Sequence, residues 1–446
     1  MWTRILSAAV AVSSLTLAGC DIFDDDDDDN PLVTPASLRV LHASPDAPAV
    51  NVLVDGAVTI AGADYKAGTA FSNLTPGSYS VQVDGIVPGG TTPVIGPVDL
   101  DLESGIRYTV IATGEVANIA PQIIAAPFES VPAGSVRATV VHAAPNAPEV
   151  TVFVTAPGTD LSGEAPLGTF SFGGTLGPAE IPNGDYQIRV TLNDDVIYDS
   201  GTVTLADGAE LVIAAVETAT PTEAAESPIS LIVLDGNGAA EIADIDTPTG
   251  FRVIHNSPDA PAVDVVVNDD FDNPILEDVP YTAFSDFINV PAATYNVKVT
   301  AANAPGTIVI DADVPLDAGQ EYSVYAIDEL ASIRPQVLED DRRSVATEAK
   351  VRIVHGSPSA GPVDIVITAA DGSTQEFQGV EFEAETGYLA LAAGSYDVAV
   401  SVAGTTTVAI AAPITVEAGG VYTAVARDPE PGQTDFGLIL LDDFND

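Results

Sequence analysis

Cysteine is almost missing from this chain, which has 446 residues and a single cysteine, Cys20. An internal disulfide needs two cysteines, so none can cross-link the folded chain. The domains must therefore hold together by packing alone. A chain of this length has room for three or four domains, each large enough to bury a core.

Basic residues are also scarce. The chain has 14 Lys and Arg against 65 Asp and Glu, which gives a formal net charge of −51. This balance excludes nucleic-acid binding, since a phosphate backbone requires a basic footprint, and it disfavours charge-driven binding to anionic lipid. Capture of divalent cations or of a basic partner is one interpretation of the acidity. We favour a role in solubility, because no strong calcium loop accompanies the charge.

Catalytic signatures are the third absence. The chain has no H-E-x-x-H, no G-x-S-x-G and no phosphate-binding glycine loop. The run from Asp235 to Gly238 begins like a calcium loop but lacks the remaining ligands. Nothing singles out a carboxylate pair for glycoside hydrolysis among the 65 acids. We therefore expect no enzymatic activity, no cofactor and no metal, with an exported carboxylate-based hydrolase as the alternative.

Residues 1–19 have the pattern of a targeting segment, with Arg4 before an apolar run from Ile5 to Leu17. The run is too short to span a bilayer, which needs about 20 apolar residues. The stretch from Leu17 to Cys20 resembles the lipobox of bacterial lipoproteins. That resemblance implies a diacylglycerol on the thiol of Cys20 and cleavage that leaves this residue first. We expect a lipid-anchored, extracytoplasmic protein of the bacterial cell envelope, at the outer membrane, the cell surface or the periplasmic face of the inner membrane.

Six aspartates, Asp24 to Asp29, follow the cysteine closely. Such a run repels itself and cannot collapse, so residues 20–35 are predicted to form an extended acidic tether.

The four histidines of the chain all occur in one recurring phrase, in which a proline follows the histidine shortly and the turn leads into a β-branched run such as Val50 to Val54. The pairs are His42 and Pro45, His142 and Pro145, His255 and Pro258, and His355 and Pro358. The first and last intervals between successive histidines are equal, and the middle interval is longer. The recurrence indicates four repeats of about 100 residues.

Two further phrases recur in each repeat. A tyrosine opens a stretch of strictly alternating apolar residues at Tyr79, Tyr186, Tyr295 and Tyr396. Period-two alternation is typical of a half-buried strand. A glycine then marks a turn before the next strand, at Gly105, Gly208, Gly319 and Gly419. Short strands separated by glycine and proline turns predict a β-sandwich of roughly seven strands in each repeat.

A longer period spans two repeats, because the offset from His42 to His255 is the same as that from His142 to His355. The triplet from Pro121 to Ile123 recurs from Pro335 to Val337, in alternate repeats only. We therefore predict an all-β chain of four tandem Ig-like β-sandwich domains in an A-B-A-B arrangement, with A packed on B. The predicted boundaries are signal peptide 1–19, tether 20–35, and sandwiches 36–131 (A), 135–246 (B), 249–343 (A) and 348–446 (B).

Each recurring side chain has a functional and a structural interpretation. The histidines could be metal ligands or general bases, with a carboxylate further along the chain as partner. That position holds Asn51, Thr151, Asp264 and Asp364, so half the repeats lack the carboxylate. We favour a structural histidine whose ring bonds the backbone of the proline turn. The tyrosines could stack on a ligand, but we favour core residues whose hydroxyls cap a loop, as in the tyrosine corner.

The phrase from Arg39 to Val50, with its close copy from Arg252 to Val263, resembles the bacterial envelope family called domain of unknown function 4397 (DUF4397). The resemblance implies exported, often lipid-anchored or wall-associated β-sandwich proteins, and it implies no activity. The second and fourth repeats depart from the pattern, because Thr139 replaces the arginine and Gly361 replaces the second proline of the turn.

Together these features predict a non-enzymatic envelope lipoprotein with a role in binding, adhesion or structure. Its expected partners are a membrane, through the lipid anchor, and an unidentified envelope or extracellular partner. A cation-dependent adhesin remains an alternative alongside the exported hydrolase.

Overall fold

A computed structural model describes residues 34–219 and 227–444. The predicted signal peptide, Cys20 and most of the predicted tether lie outside these ranges. The regular structure within them consists of strands and two short 3-10 helices, Val116–Asn118 and Leu330–Ser332. No helix in the described ranges is both long enough and apolar enough to cross a membrane.

The strands form four successive sandwiches. The first contains β1 (Ala36–Ala43), β2 (Val50–Val54), β3 (Ala57–Ala63), β4 (Ser72–Leu74), β5 (Gly77–Val87), β6 (Gly90–Leu102), β7 (Ile106–Thr113) and β8 (Ala120–Pro127). The second contains β9 (Ser135–His142), β10 (Val150–Thr155), β11 (Gly168–Phe170), β12 (Thr175–Pro182), β13 (Gly184–Leu192), β14 (Asp195–Leu205), β15 (Glu210–Glu217), β16 (Ile229–Leu234) and β17 (Ala239–Ile242).

The third and fourth sandwiches repeat this plan. The third contains β18 (Pro248–Asn256), β19 (Val263–Val267), β20 (Leu276–Val279), β21 (Ile288–Pro291), β22 (Ala293–Ala301), β23 (Ala304–Leu316), β24 (Glu321–Ile327) and β25 (Arg334–Asp340). The fourth contains β26 (Ala349–His355), β27 (Val363–Ala369), β28 (Thr374–Val380), β29 (Leu389–Leu391), β30 (Gly394–Val402), β31 (Val408–Val416), β32 (Val421–Arg427) and β33 (Gly437–Asp442).

Each sandwich has two sheets with the same strand order. In the first sandwich the orders are β4-β1-β7-β8 and β3-β2-β5-β6, and the second adds β17 at one edge of its β12-β9-β15-β16 sheet. Strands β1 and β7 pair in parallel, and so do β9 and β15, β18 and β24, and β26 and β32. The predicted architecture of tandem β-sandwiches is confirmed, but each sandwich has eight or nine strands and not the roughly seven predicted. Immunoglobulin domains also have two packed sheets, but their strands follow the order ABED in one sheet and CFG in the other.

The recurring glycines make turns that a side chain would strain. Gly105, Gly208, Gly319 and Gly419 have φ values between 72° and 86°. This left-handed region costs glycine nothing and costs other residues energy. Each glycine N–H also donates to a carbonyl at the start of its sandwich, those of Pro35, Ser135, Pro248 and Glu348.

The described chain divides into two compact units, residues 34–218 with 228–245, and residues 246–444. Each unit contains two sandwiches, so the paired A-B-A-B arrangement is confirmed. Within a unit, the sheet that carries the first histidine packs against the sheet that carries the second, and we call this contact the seam. An apolar cluster fills the seam of unit 1, with Leu41 and Ile111 from the first sandwich against Val141, Val212 and Ile232 from the second.

The seam of unit 2 is filled by Ile254, Tyr325 and Ile327 against Val354, Val425 and residues of β33. Strands β18, β24 and β26 are buried at every position, because one face meets the core of their own sandwich and the other meets the seam. Period-two alternation therefore disappears in these strands, as expected for strands covered on both faces.

Candidate functional site

The four histidines lie at or next to the end of the first strand of each sandwich, above the proline turn. Nε2 of His42 lies 3.1 Å from the carbonyl oxygen of Pro48, and Nε2 of His142 lies 3.2 Å from that of Pro148. The same nitrogen of His355 lies 2.7 Å from the carbonyl oxygen of Gly361. A carbonyl only accepts, so Nε2 donates in all three, and Nδ1 of the neutral ring is left as an acceptor.

His255 has a weaker form of this arrangement. Its ring nitrogens make no hydrogen bond of ordinary geometry among the described residues, although the backbone of Pro261, six residues on as in the other sandwiches, still acts on the ring, and the residue is completely buried. Burial lowers the pKa of His255, and the backbone of its own residue and of Pro261 opposes that effect only in part. Burial also lowers the pKa of His355. Both rings of unit 2 therefore resist protonation, because a buried imidazolium loses its hydration.

An aromatic residue that the sequence analysis missed stands beside each histidine. The pairs are His42 with Tyr65, His142 with Phe172, His255 with Tyr281 and His355 with Phe382, with ring centroids 6.1 to 6.5 Å apart, edge to face. The next residue has a positive φ in every case, between 67° and 79°. Its N–H donates to the histidine carbonyl at 2.8 to 2.9 Å, so each histidine is held by a turn from a later part of its own sandwich.

The recurring prolines each open a turn directly after the histidine strand, at Pro45, Pro145, Pro258 and Pro358. In the A sandwiches the next residue is an aspartate that fixes a 3-10 helix. Asp46 accepts from the N–H of Val116 at 2.7 Å, and Asp259 accepts from the N–H of Leu330 at 2.6 Å. These carboxylates are engaged by backbone groups.

The recurring tyrosines make one repeated contact. The hydroxyls of Tyr79, Tyr186, Tyr295 and Tyr396 each donate to a carbonyl in the turn that precedes the strand, at 2.7 to 2.9 Å. Each ring packs half-buried against the core of its own sandwich. No hydrogen bond among the described residues links the tyrosine of a sandwich to its histidine.

The carboxylates considered as partners of the histidines are occupied by backbone amides. Asp264 accepts from the N–H groups of Asp278 and Asn303 at 2.8 and 3.1 Å. Asp364 accepts from Gly379 and Gly404 at 2.8 and 2.9 Å, and these bonds lower the pKa of Asp364. Within the ranges that the structure describes, no group of three or more His, Cys, Asp or Glu side chains could hold a metal ion.

The seam of unit 2 contains a buried ionic cluster, a second feature absent from the sequence predictions. Arg252 of the third sandwich pairs with Asp442 of the fourth at 2.7 Å and with Asp340 at 3.5 Å. Asp340 also accepts from Arg352 of the fourth sandwich. The four side chains are each 4% exposed or less. Burial disfavours the charge on Arg252, but Asp442 and Asp340 outweigh that effect and raise its pKa.

The seam of unit 1 has an arginine at the same place without such a partner. Arg39 donates from Nε to Thr109 at 2.8 Å and stacks on Phe71, 4.4 Å from the ring centroid. Its Nη1 has no hydrogen-bond partner in the described part of the chain. Burial lowers the pKa of Arg39 to about 10, although Glu210 partly opposes the shift. Ion pairs between these two sandwiches are made by Arg107 with Glu210 at 2.5 Å and by Lys66 with Glu241 at 2.6 Å.

Neutral hydrogen bonds join the sandwiches in both units. The hydroxyl of Tyr65 donates to the carbonyl of Glu217 at 2.7 Å, and that of Tyr281 donates to the carbonyl of Asp428 at 2.9 Å. The glutamine of each Pro-Gln phrase also reaches the opposite sandwich. Gln122 donates to the carbonyl of Gly173 at 2.9 Å, as Gln336 does to Glu383 at 2.6 Å. The restriction of that phrase to alternate repeats follows from its role on the A side of the seam.

The second sandwich contains an apolar cavity of about 190 Å³ between its two sheets. Spaces in the first and third sandwiches measure about 70 and 10 Å³. Val152, Val154 and Leu176 line the large cavity, together with His142 and Tyr186. At about 24 cal/mol per Å³, an empty cavity of this size would cost the fold about 4 to 5 kcal/mol.

The family described as a domain of unknown function, DUF4397, matches residues 36–153, 249–366 and 349–446. These matches cover the first, third and fourth sandwiches, and the second sandwich only as far as its second strand. No curated protein matches the sequence.

Two solved structures have distant likenesses to the chain. For the Bacillus anthracis TIE protein the identity is 10%, over 91% of this chain and 75% of that chain, with a TM-score of 0.15. For the product complex of a multi-modular glycogen-degrading pneumococcal virulence factor, SpuA, the identity is 10%, over 84% of this chain and 37% of that chain, with a TM-score of 0.16. Neither likeness is close enough to inform the fold or the function. The matches to the DUF4397 family model cover more than half of the chain, and the chain belongs to the DUF4397 family.

Proposed function

We propose that this chain is a lipid-anchored protein of the bacterial cell envelope with a non-enzymatic role in binding, adhesion or structure. The seam is the observation that carries this proposal. Two sandwiches joined by an apolar layer and by hydrogen bonds make one body thicker than either sandwich, and such a body suits a spacer or a platform for contact.

The use of the polar residues supports the same proposal. The repeated tyrosines and three of the four histidines bond carbonyl groups of their own sandwich, and the seam arginines and glutamines bond the opposite sandwich or stack within the seam. These groups are engaged in holding the fold together. Catalytic groups in contrast must face a substrate in a productive geometry.

Anchoring through Cys20 is the part of the proposal that rests on sequence. A cell that expresses the full chain should incorporate an alkyne-labelled palmitate into it, and Cys20→Ala should lose the label. A signal-peptidase inhibitor specific for lipoproteins should leave the precursor uncleaved. Label that persists in Cys20→Ala, or normal cleavage in the presence of the inhibitor, would refute the anchor.

The role in binding or adhesion is tested with the purified chain from Pro31 onward. We expect saturable cosedimentation with isolated cell envelopes that is the same in calcium and in EDTA. Binding that requires calcium, with a melting temperature raised by calcium, would favour the cation-dependent adhesin instead. The absence of binding to envelopes and to whole cells would leave only the structural role.

A further inference from the structure

We propose that the core of the second sandwich is a binding site for a small, uncharged hydrocarbon molecule. The cavity of about 190 Å³ inside that sandwich sets the size of the ligand. An apolar cavity of about 150 Å³ in another protein stays dry and binds benzene, so this cavity suits a single substituted ring. The inference does not depend on membrane anchoring.

Part of the cavity lining has shorter side chains than the fourth sandwich, which is the relative of the second sandwich by the longer period of the sequence. Three lining positions carry Ala138, Val152 and Val154. The equivalent positions of the fourth sandwich carry the larger Val351, Ile365 and Ile367, which are all buried in its core. These three positions are less filled in the second sandwich than in its relative, whereas Ile188 and Ile213, which also line the cavity, are larger than their counterparts Val398 and Ala424.

The edge of the second sandwich also provides a route to the cavity. The edge strand β11 has three residues, whereas its counterpart β28 has seven. On the other sheet, the pairing of edge strand β12 with β9 shifts register between Leu176 and Ala179, and both residues line the cavity. Leu176, Ile181 and Tyr186 are only half-buried, so the cavity reaches the surface along this edge.

The histidine beside the cavity offers a ligand no hydrogen-bond partner. His142 lines the cavity and is 3% exposed. Its Nδ1 has no hydrogen-bond partner among the described residues. In the first and fourth sandwiches, Nδ1 of His42 and of His355 accepts from a backbone N–H at 3.3 and 3.4 Å. Nε2 of His142 donates to Pro148 and its Nδ1 has almost no exposed surface, so a ligand in the cavity meets mainly hydrocarbon.

The test uses fluorobenzene and 4-fluorophenol, which differ only by a hydroxyl, and follows their fluorine NMR signals as the purified full chain is titrated. We expect fluorobenzene to bind saturably, with a dissociation constant below about 1 mM, and 4-fluorophenol to bind more weakly, because the cavity gives its hydroxyl no partner. The variant Ala138→Val/Val152→Ile/Val154→Ile copies three residues that already pack together in the fourth sandwich. It should fold, keep or raise the melting temperature, and weaken fluorobenzene binding at least about tenfold.

The matched control is Val58→Ile/Val196→Ile, which adds methyl groups at positions that are 55% and 50% exposed and should leave binding unchanged. Failure of fluorobenzene to saturate with the natural chain, or undiminished binding by the filled variant, would overturn the site.

The apolar character of the site has its own test. A bound 4-fluorophenol would bury its hydroxyl without a hydrogen bond, so it should bind at least about tenfold more weakly than fluorobenzene. Equal affinity for the two probes would refute a cavity that offers hydrocarbon contacts alone.

Discussion

Both units pack two sandwiches together through an apolar seam, but the charged groups in the two seams differ. Arg39 and Arg252 occupy equivalent positions of the longer period, and both are almost completely buried. Arg252 meets Asp442 and Asp340, and these carboxylates keep it charged against the effect of burial. The position of Asp340, opposite Glu321 in its strand pair, is taken in unit 1 by Ala126, opposite Arg107. Burial therefore prevails at Arg39 and lowers its pKa to about 10.

The apolar layer holds the sandwiches together in both units, whereas the charged groups of the contact differ between the units. Both seams have an apolar cluster and a tyrosine that bonds across, whereas among the described residues only unit 2 has the closed ionic cluster. Buried ion pairs contribute little net stability, because the desolvation of the charges offsets their attraction. The apolar layer is therefore sufficient for stacking. The ionic cluster makes unit 2 dependent on each of its members.

Removal of Asp340 should have the largest effect. Asp340→Ala leaves Arg252 with one carboxylate and Arg352 without its buried partner, and breaking a buried pair costs about 3 to 5 kcal/mol. We expect unit 2 to lose that much unfolding free energy while unit 1 is unchanged. Hydrogen exchange measured peptide by peptide in urea distinguishes the two units. Equal loss of protection in both units would contradict the assignment.

The reverse change should stabilise unit 1. Ala126→Asp puts a carboxylate where unit 2 has one, and Ala126 lies with Arg39 and Arg107 around a small space in the seam. A hydrogen bond to a charged group contributes about 1.5 to 3 kcal/mol, so unit 1 should gain up to that amount. The same urea titration measures the gain, and Ala126→Asn is the uncharged control. A loss of stability with Asp but not with Asn would show that the new charge is not paired.

The tyrosine bonds across the seams should contribute equally. Tyr65→Phe and Tyr281→Phe each remove one bond to a carbonyl, and the fourth sandwich already carries Phe382 at this place beside its histidine. Each variant should lose about 1 kcal/mol of the unfolding free energy of its own unit, as measured by chemical denaturation. A much larger loss in one unit would mean that the bonds are not equivalent.

Mild acid should have the smallest effect, and we expect it in unit 2. The pKa values of His255 and His355 are lowered by burial, so below about pH 6.5 the unfolded state takes up protons before the folded state does. The unfolding free energy of unit 2 should therefore fall as the pH drops from about 6.5 to about 5. The pKa of Glu321 is raised by burial and works in the opposite direction.

The control for this pH dependence is His255→Gln/His355→Gln, which retains Glu321. Urea midpoints between about pH 5 and pH 7 should then lose the part of the slope that the histidines produce. An unchanged slope in the double variant would mean that other groups control the acid response.

Much of the sandwich fold could be predicted from recurrences of short phrases. Period-two alternation after the tyrosines indicated the half-buried strands, and the longer period indicated the pairing of sandwiches. The sequence also contains a signal for the seam. The runs from Leu231 to Leu234 and from Leu438 to Leu441 have no polar residue, and an unbroken apolar run in a strand indicates that both faces are covered.

The aromatic partners of the histidines do not recur at a fixed spacing in the sequence. Each follows its histidine at a different distance along the chain, because the loops between them differ in length. A search for fixed spacing cannot detect such a relation. The ionic cluster was hidden for another reason, since Asp340 and Asp442 are two acids among 65 and only the folded chain brings them to the arginines.

The seam also bears on how such chains are inherited. A sandwich alone would turn one apolar sheet face, such as that of Ile254 and Tyr325, towards water, and large exposed apolar patches promote association. A gene that gained or lost one sandwich would leave such a face without its partner. We therefore expect surviving relatives with this seam to carry their sandwiches in even numbers. Selection should preserve an even number of sandwiches more strictly than it preserves the length of the chain.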